Sequence, residues 1–343
     1  MSTVLCFYHS PCNDGASAAA ALTYRLQKID PNTIVECHPM GFTVEWNDPL
    51  DEHYLKSLGH SHEKVSAIYI VDISISPEKY HQILAFLKGA GRIGEEKPRT
   101  ICIDHHRTAL DNLEILQEYC DETLIEIGPG LSGATLVWKY FNSIENSTEG
   151  QLPVPTMLRY VADQDVWEWK LPFSKEINSA LNTLDGVAAT MVAELARSIE
   201  DEQNWFEKRK SQGEAIQSVI ESQLHKSYSR IFECDDRDGT EYRVVNATEN
   251  ASELGNMLCE ESSKSPNVIA VIYSIQKNWS VKVSLRSIPG GKINARQVAE
   301  RFGGGGHDHA AGCRFPDMMA FDKGLEELLG VDVKLIVDPA QAG

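Results

Sequence analysis

The stretch Thr100–Arg107, TICIDHHR, decides the fold. Thr100-Ile101-Cys102-Ile103 is a short apolar run without alternation, the pattern of a strand covered on both faces. Asp104-His105-His106 follows with no intervening turn. Consecutive polar groups directly after a buried strand are costly to place in a core, so they point to a site.

Two upstream stretches repeat the arrangement. Ala67–Val71 (AIYIV) reads as a strand and ends at Asp72. Val4–Tyr8 (VLCFY) reads as a strand and ends at His9, with Asn13 and Asp14 in the next turn. Gly15 then opens an alanine-rich helical run, Ala16–Leu26, and a second helix is predicted through Tyr80–Lys88. Strands alternating with helices predict an α/β fold with a doubly wound, mainly parallel sheet. In such sheets ligands bind beyond the carboxyl ends of the strands. Further helices are predicted at Ser132–Phe141 and Thr156–Ala162. Asp163 and Asp165, in VADQDVWEW, could add a contribution from a helix end. Carboxylates mixed with neutral imidazoles suit Mn²⁺, Fe²⁺ or Zn²⁺ better than Ca²⁺. The number of donors suits two ions bridged by a shared carboxylate. Taken singly, an Asp after a strand is usually a turn former, and His9 could be a satisfied buried histidine; the convergence outweighs its members.

Farther along, residues 186–228 have no proline and few glycines, with Gly213 inside the run, and their apolar positions recur near helical spacing. They predict a helical connector. After it, Tyr242–Ala247, Val268–Ile275 and Trp279–Leu285 read as strands, and Ala295–Phe302 as a helix entering Gly303-Gly304-Gly305-Gly306-His307. Glycines let several backbone N–H groups approach a phosphate, although four glycines alone more often make a linker. Arg286, at the end of a predicted strand, offers a planar fork for a phosphate. The expected organisation is an N-terminal α/β domain at 1–185, a helical connector at 186–228 and a smaller C-terminal α/β domain at 229–343, with a frayed tail from about 338.

The chain has 343 residues, 32 Lys plus Arg against 50 Asp plus Glu, and a formal net charge of −18. Tracking long nucleic acid requires a basic surplus that this chain lacks. One segment departs from the trend: residues 277–301 hold Lys277, Lys282, Arg286, Lys292, Arg296 and Arg301 against Glu300, which suits a small anion. The 8 cysteines show no CxxC pair, which speaks against a structural zinc site and for reduced thiols. There is no apolar stretch of membrane-spanning length, and MSTVLCFYHSPCNDG lacks the features of a signal peptide. A cytoplasmic location is expected.

These motifs together resemble the DHH phosphoesterase superfamily, in particular its members with a DHHA1 domain. Asp104-His105-His106 is similar to the motif that names the family, and Gly304-Gly305-Gly306-His307 with Ala310-Ala311-Gly312 resembles the DHHA1 signature. The layout is closest to nanoRNases and related short-nucleotide phosphodiesterases. The resemblance implies a DHH domain, a connector and a DHHA1 domain, and catalysis around Asp104, His105 and His106. It implies two Mn²⁺ ions, with Mg²⁺ or another divalent cation as the alternative. His9 and Asp72 would hold one ion; Asp14, Asp72, His105 and Asp163 would hold the other. Asp104 would orient the histidine pair. His106, Arg107, Arg286, Gly304, Gly305, Gly306 and His307 would face or bind substrate.

The first loop departs from the family pattern. It carries one carboxylate, Asp14, where two aspartates are usual: either Asn13 or Cys12 takes the missing place, or the first ion binds more weakly. The function implied is hydrolysis of linear dinucleotides such as pGpG and of nanoRNAs to nucleoside 5′-monophosphates. The partner expected is a short nucleotide substrate, with no long nucleic acid and no membrane; a homodimer is left open. Alternatives are a pyrophosphatase or exopolyphosphatase, a RecJ-type single-strand exonuclease, and a nucleotide sensor with weakened catalysis.

Overall fold

The computed structural model describes residues 3–41, 49–59, 61, 63–144, 152–235, 239–260 and 266–329. The chain divides into two compact units, Met1–Gln217 and Ser218–Gly343.

The first unit contains, in chain order, β1 (Thr3–His9), α1 (Asn13–Ile29), β2 (Ile34–Met40), α2 (Glu52–Ser57), β3 (Val65–Val71), α3 (Pro77–Gly89), β4 (Arg99–Asp104), α4 (Arg107–Asp111), α5 (Leu113–Tyr119), β5 (Glu122–Ile125), α6 (Gly133–Ile144), α7 (Thr156–Asp165), α8 (Ser174–Leu181) and α9 (Ala188–Glu200). Helix α10 (Glu202–Tyr228) follows. The strands form one sheet in the order β2-β1-β3-β4-β5, parallel at every junction. The parallel doubly wound sheet expected from TICIDHHR is present.

Side-chain alternation sorts the strand residues to two cores. Cys6, Tyr8, Tyr69, Val71, Ile101 and Ile103 point to the layer built by α1, α6, α7, α8 and α9. Leu5, Phe7, Ile68, Ile70 and Cys102 point to the other face, covered by α3 and α5. The alanines Ala16 and Ala18–Ala21 are fully buried; their small side chains let α1 lie close to α6 and α9. Residues 186–217, expected as connector, contribute to this first core through Met191, Leu195 and Trp205. Strands β2 and β5 carry no clear sequence signal. β2 is only partly buried, and β5 is short, Glu122–Ile125.

The second unit contains β6 (Phe232–Asp235), β7 (Glu241–Asn246), α11 (Ala251–Glu260), β8 (Val268–Ile275), β9 (Val281–Ser287), α12 (Ala295–Arg301), β10 (Gly305–His307), β11 (Ala310–Phe315) and α13 (Met318–Leu329). Its sheet runs β10-β11-β9-β8-β7-β6, with β7 and β8 parallel and the other neighbours antiparallel. Helices α12 and α13 cover one face through Val298, Ala299, Phe321 and Leu325. Helix α11 covers the other through Leu254 and Leu258. The expected tail from about 338 lies outside the described residues.

Candidate metal centre

In a parallel sheet of order 2-1-3-4-5 the chain reverses direction of winding between β1 and β3, leaving a crevice at the carboxyl ends of those strands. His9 ends β1, Asp72 follows β3, and Asp104 ends β4. The loops that leave the strands bring their side chains together. His9 Nδ1 lies 3.4 Å from Asp72 Oδ2. His105 Nε2 lies 3.1 Å from Asp72 Oδ1, 3.7 Å from Asp14 Oδ2 and 3.2 Å from Asp165 Oδ2. Asp72 thus turns one oxygen toward each histidine, the disposition of a bridging carboxylate.

Each of these side chains is fixed by its backbone surroundings. Asp72 has a left-handed backbone, φ 59°, which costs energy outside glycine and recurs at functional sites. Gly133, at the start of α6, leaves the room it needs: a Cβ there would sit 2.5 Å from Asp72 Cβ. The same turn holds Asp14, whose carboxylate accepts from Gly133 N at 2.6 Å and Ala134 N at 3.1 Å. Gly15 has no room for a side chain, since its Cβ would overlap His9 O.

Asp104 Oδ1 accepts from the backbone N–H of His105 at 2.7 Å and of His106 at 3.1 Å, and lies 2.7 Å from His106 Nδ1. It therefore sets the turn and orients the imidazole from behind. His106 is the N-cap residue of α4. Arg107, the next residue, is exposed and pairs with Asp111 at 3.1 Å.

The electrostatics of the cluster call for a cation. Among the described residues, Asp14, Asp72 and Asp165 form ion pairs with histidines and with no lysine or arginine. Asp72 is 1% exposed, and neither of its carboxylate oxygens accepts a hydrogen bond; His105 Nε2 is likewise without one. Buried polar atoms left in this way are rare in folded proteins. Burial, reinforced by Asp14, pushes the Asp72 carboxyl well above the usual range. Burial and then Asp14 push Asp165 up to about 7. Burial, helped by the neighbouring His106, pushes His9 down to about 4, so its imidazole is neutral and able to ligate at neutral pH. His106 goes the other way: burial lowers it, but the bond to Asp104 outweighs that, and its value is raised. Among the described residues, three donor groupings have ligand atoms within 4.8 Å of one another: His9, Cys12 and Asp72; Asp72, His105 and His106; and Asp14, His105 and Asp165. Imidazole and carboxylate donors at this spacing fit divalent cations of the manganese-to-zinc series.

Asp163, expected as a ligand, is engaged elsewhere. Its carboxylate accepts from Lys170 N at 2.9 Å and Leu171 N at 3.3 Å. Its backbone oxygen accepts from Glu168 N and Trp169 N. It folds the 163–171 segment, and Asp165, two residues on, reaches His105 instead. The sequence contains both aspartates, and no spacing rule distinguishes the one that faces the cluster. Within the same segment Trp167 and Trp169 both have left-handed backbones, φ 56° and 53°, and their rings meet edge to face at 5.0 Å. Asn13 is also turned aside: its Nδ2 donates to Asn182 Oδ1 at 2.6 Å.

In the second unit the glycine-rich segment is a strand, not a free loop. β10 pairs with β11 through Gly305↔Gly312, Gly306↔Ala311 and His307↔Ala310. A Cβ at Gly304 would overlap Gly312 O, and one at Gly306 would lie 2.7 Å from Ala310 O and Ala311 Cα. Those two glycines are required by the hairpin itself. Gly305 faces open space. Arg286, on β9 opposite Ala310, donates to Ser252 Oγ at 2.6 Å and to Leu285 O at 2.9 Å, and burial lowers its pKa. The side chain of His307 lies outside the described residues.

Residues 240–331 match the DHHA1 domain family. The chain is 24% identical to an uncharacterized protein of Acanthamoeba polyphaga mimivirus, over 96% of this chain and 73% of that protein. It is 26% identical to oligoribonuclease NrnB of Bacillus subtilis (strain 168), over 78% of this chain and 63% of the oligoribonuclease. Among solved structures, an exopolyphosphatase-related protein from Bacteroides fragilis superposes with a TM-score of 0.55 at 16% identity, covering 96% of this chain and 93% of that one. The second unit thus matches the DHHA1 domain family, and the first unit, with Asp104-His105-His106 at the end of β4, resembles the DHH phosphoesterases.

Proposed function

We propose that this chain is a Mn²⁺-dependent phosphodiesterase that cleaves short linear oligoribonucleotides, nanoRNAs and dinucleotides of the pGpG type, to nucleoside 5′-monophosphates. The observation that carries the reading is Asp72: a buried carboxylate with two oxygens free of hydrogen bonds, each facing a different histidine at the mouth of β1 and β3. His9 and Asp72 would hold one cation; Asp14, Asp72, His105 and Asp165 would hold the other. When bound, such a pair of ions supplies an acidified water and neutralises charge on the phosphoryl oxygens.

The chain's own groups supply the rest. Asp104 fixes the turn at His105 and His106 and favours a proton on the His106 imidazole, placing a donor beside the cluster where charge develops on the leaving oxygen. Trp167 is 37% exposed two residues beyond Asp165 and offers a ring for a nucleobase to stack on. We assign phosphate recognition to Arg286, Gly305 and His307, and a substrate-facing role to His106 and Arg107. Relatedness to an oligoribonuclease supports the substrate class. Among the described residues no helix is long and apolar enough to cross a membrane. The described cysteines are free thiols, which supports a cytoplasmic location.

The test is a panel of pGpG, other dinucleotides, a 20-mer RNA, pAp and pyrophosphate, assayed with Mn²⁺. Dinucleotides should be turned over fastest. Binding of pGpG without product would establish a sensor instead, and preference for pyrophosphate would overturn the substrate class.

A further inference from the structure

The cluster contains one donor that a carboxylate and imidazole centre does not require. Cys12 is the N-cap residue of α1. Its Sγ, a nitrogen of His9 and an oxygen of Asp72 lie within 4.8 Å of one another. Asn13, the other residue in the place of a second first-loop carboxylate, is engaged with Asn182. The second observation is independent of the thiol: Asp72, 1% exposed, directs into this grouping a carboxylate that accepts no hydrogen bond.

We propose that Cys12 is a metal ligand, its thiolate joining His9 and Asp72 at the first cation position, and that this makes the two positions chemically unequal. Thiolate favours zinc, cobalt or ferrous ions, whereas oxygen-rich donor sets suit manganese and magnesium. The position of His9, Cys12 and Asp72 selects the former class. The position of Asp14, His105 and Asp165 remains suited to Mn²⁺. On binding, the Sγ–H bond breaks, its proton leaves to solvent and the sulfur lone pair forms the bond to the ion; nothing is oxidised or reduced. The inference rests on the two-cation reading above and deepens it.

The experiment uses the full chain stripped with a chelator and titrated with Co²⁺ alone. Wild type should develop the intense near-ultraviolet charge-transfer absorption of a cobalt thiolate. C12S should lose that band while still taking up cobalt at the remaining donors. C12D should bind cobalt without the band and, in competition between Zn²⁺ and Mn²⁺, should retain about tenfold more manganese relative to zinc than wild type. Because a variant can misfold, X-ray absorption on the zinc-loaded wild type gives a second readout: one sulfur at about 2.3 Å from the metal. Cobalt bound without the band, a band that persists in C12S, or a zinc shell without sulfur overturns the thiolate ligand and leaves the two-cation reading standing. Failure of wild type to bind any cobalt overturns both.

Discussion

At the scale of single residues, Asp72 works against the fold that holds it. It is buried, its carboxylate has no hydrogen-bond donor, and its backbone lies at φ 59°. Asp72→Asn removes the buried carboxyl and keeps a residue that tolerates the left-handed region. The metal-stripped variant should therefore melt no lower than stripped wild type, while metal stoichiometry and turnover both fall, the latter by more than about 100-fold, beyond the loss usual for a group one step removed from the metal. Thermal melts and elemental analysis on the same samples check both parts. The two nearby aspartates separate in the opposite sense. Asp163→Asn should cost roughly 1 kcal/mol of stability through its bonds to the 170–171 backbone, whereas Asp165→Asn should spare stability and lower cation uptake. The convergence of His9, Asp72 and His105 was legible in the sequence because parallel strands deliver what stands at or just past their carboxyl ends to one edge. The choice between Asp163 and Asp165 was not, because it depends on how the 163–171 segment folds back, and two left-handed tryptophans decide that.

At the scale of elements, the pairing of α9 with α10 rests on one carboxylate. Glu194 Oε1 accepts from Trp205 Nε1 at 2.6 Å and Arg209 Nε at 2.5 Å, and its Oε2 meets Arg197 Nη1 at 3.0 Å. Burial raises this carboxyl, but the Arg209 hydrogen bonds and charge, with Trp205 and Arg197, outweigh burial and hold it below the usual range. A group depressed in the folded state stabilises fully above its unfolded value, about 4.3, and loses that contribution as pH falls through the folded value. Glu194→Gln should destabilise by about 3 kcal/mol at neutral pH, since it leaves the Arg209 charge buried and unmatched. It should also flatten the fall in stability on acidification below about pH 4.3; denaturant melts at several pH values report both. Gly213 sits where α10 crosses α8, and a Cβ there would overlap the Glu176 carbonyl. Gly213→Ala should cost about 1–3 kcal/mol, although an alanine ordinarily helps a helix. That glycine was legible as an oddity inside a helical run but not as a contact. The strand character of Gly305–His307 was hidden for a related reason: glycine carries no side chain to show alternation, and β11 supplies the partner.

For the whole molecule, the net charge of −18 sets the reach of any activity on nucleic acid. A long polyanion is held by releasing its counterions to many basic groups, and the broadest basic surplus of this chain is the short segment 277–301. Turnover of a dinucleotide should exceed that of a 20-mer by at least about tenfold, and the ratio should persist from low to physiological salt because few phosphates are engaged. Parallel time courses at two ionic strengths measure it. The parallel, helix-covered character of the first sheet follows from the alternation of strands and helices in the sequence, whereas β2, β5 and the order β2-β1-β3-β4-β5 emerged only from the neighbours that complete the sheet. The left-handed turn at Asp72 carries a consequence for descent as well. The cation binding proposed there asks for a carboxylate, while the backbone is most at ease with glycine or asparagine. In a lineage released from the need to bind cations, that codon should drift toward those two residues sooner than toward any bulkier one, so a homologue with either in this turn is marked as a catalyst that has gone silent.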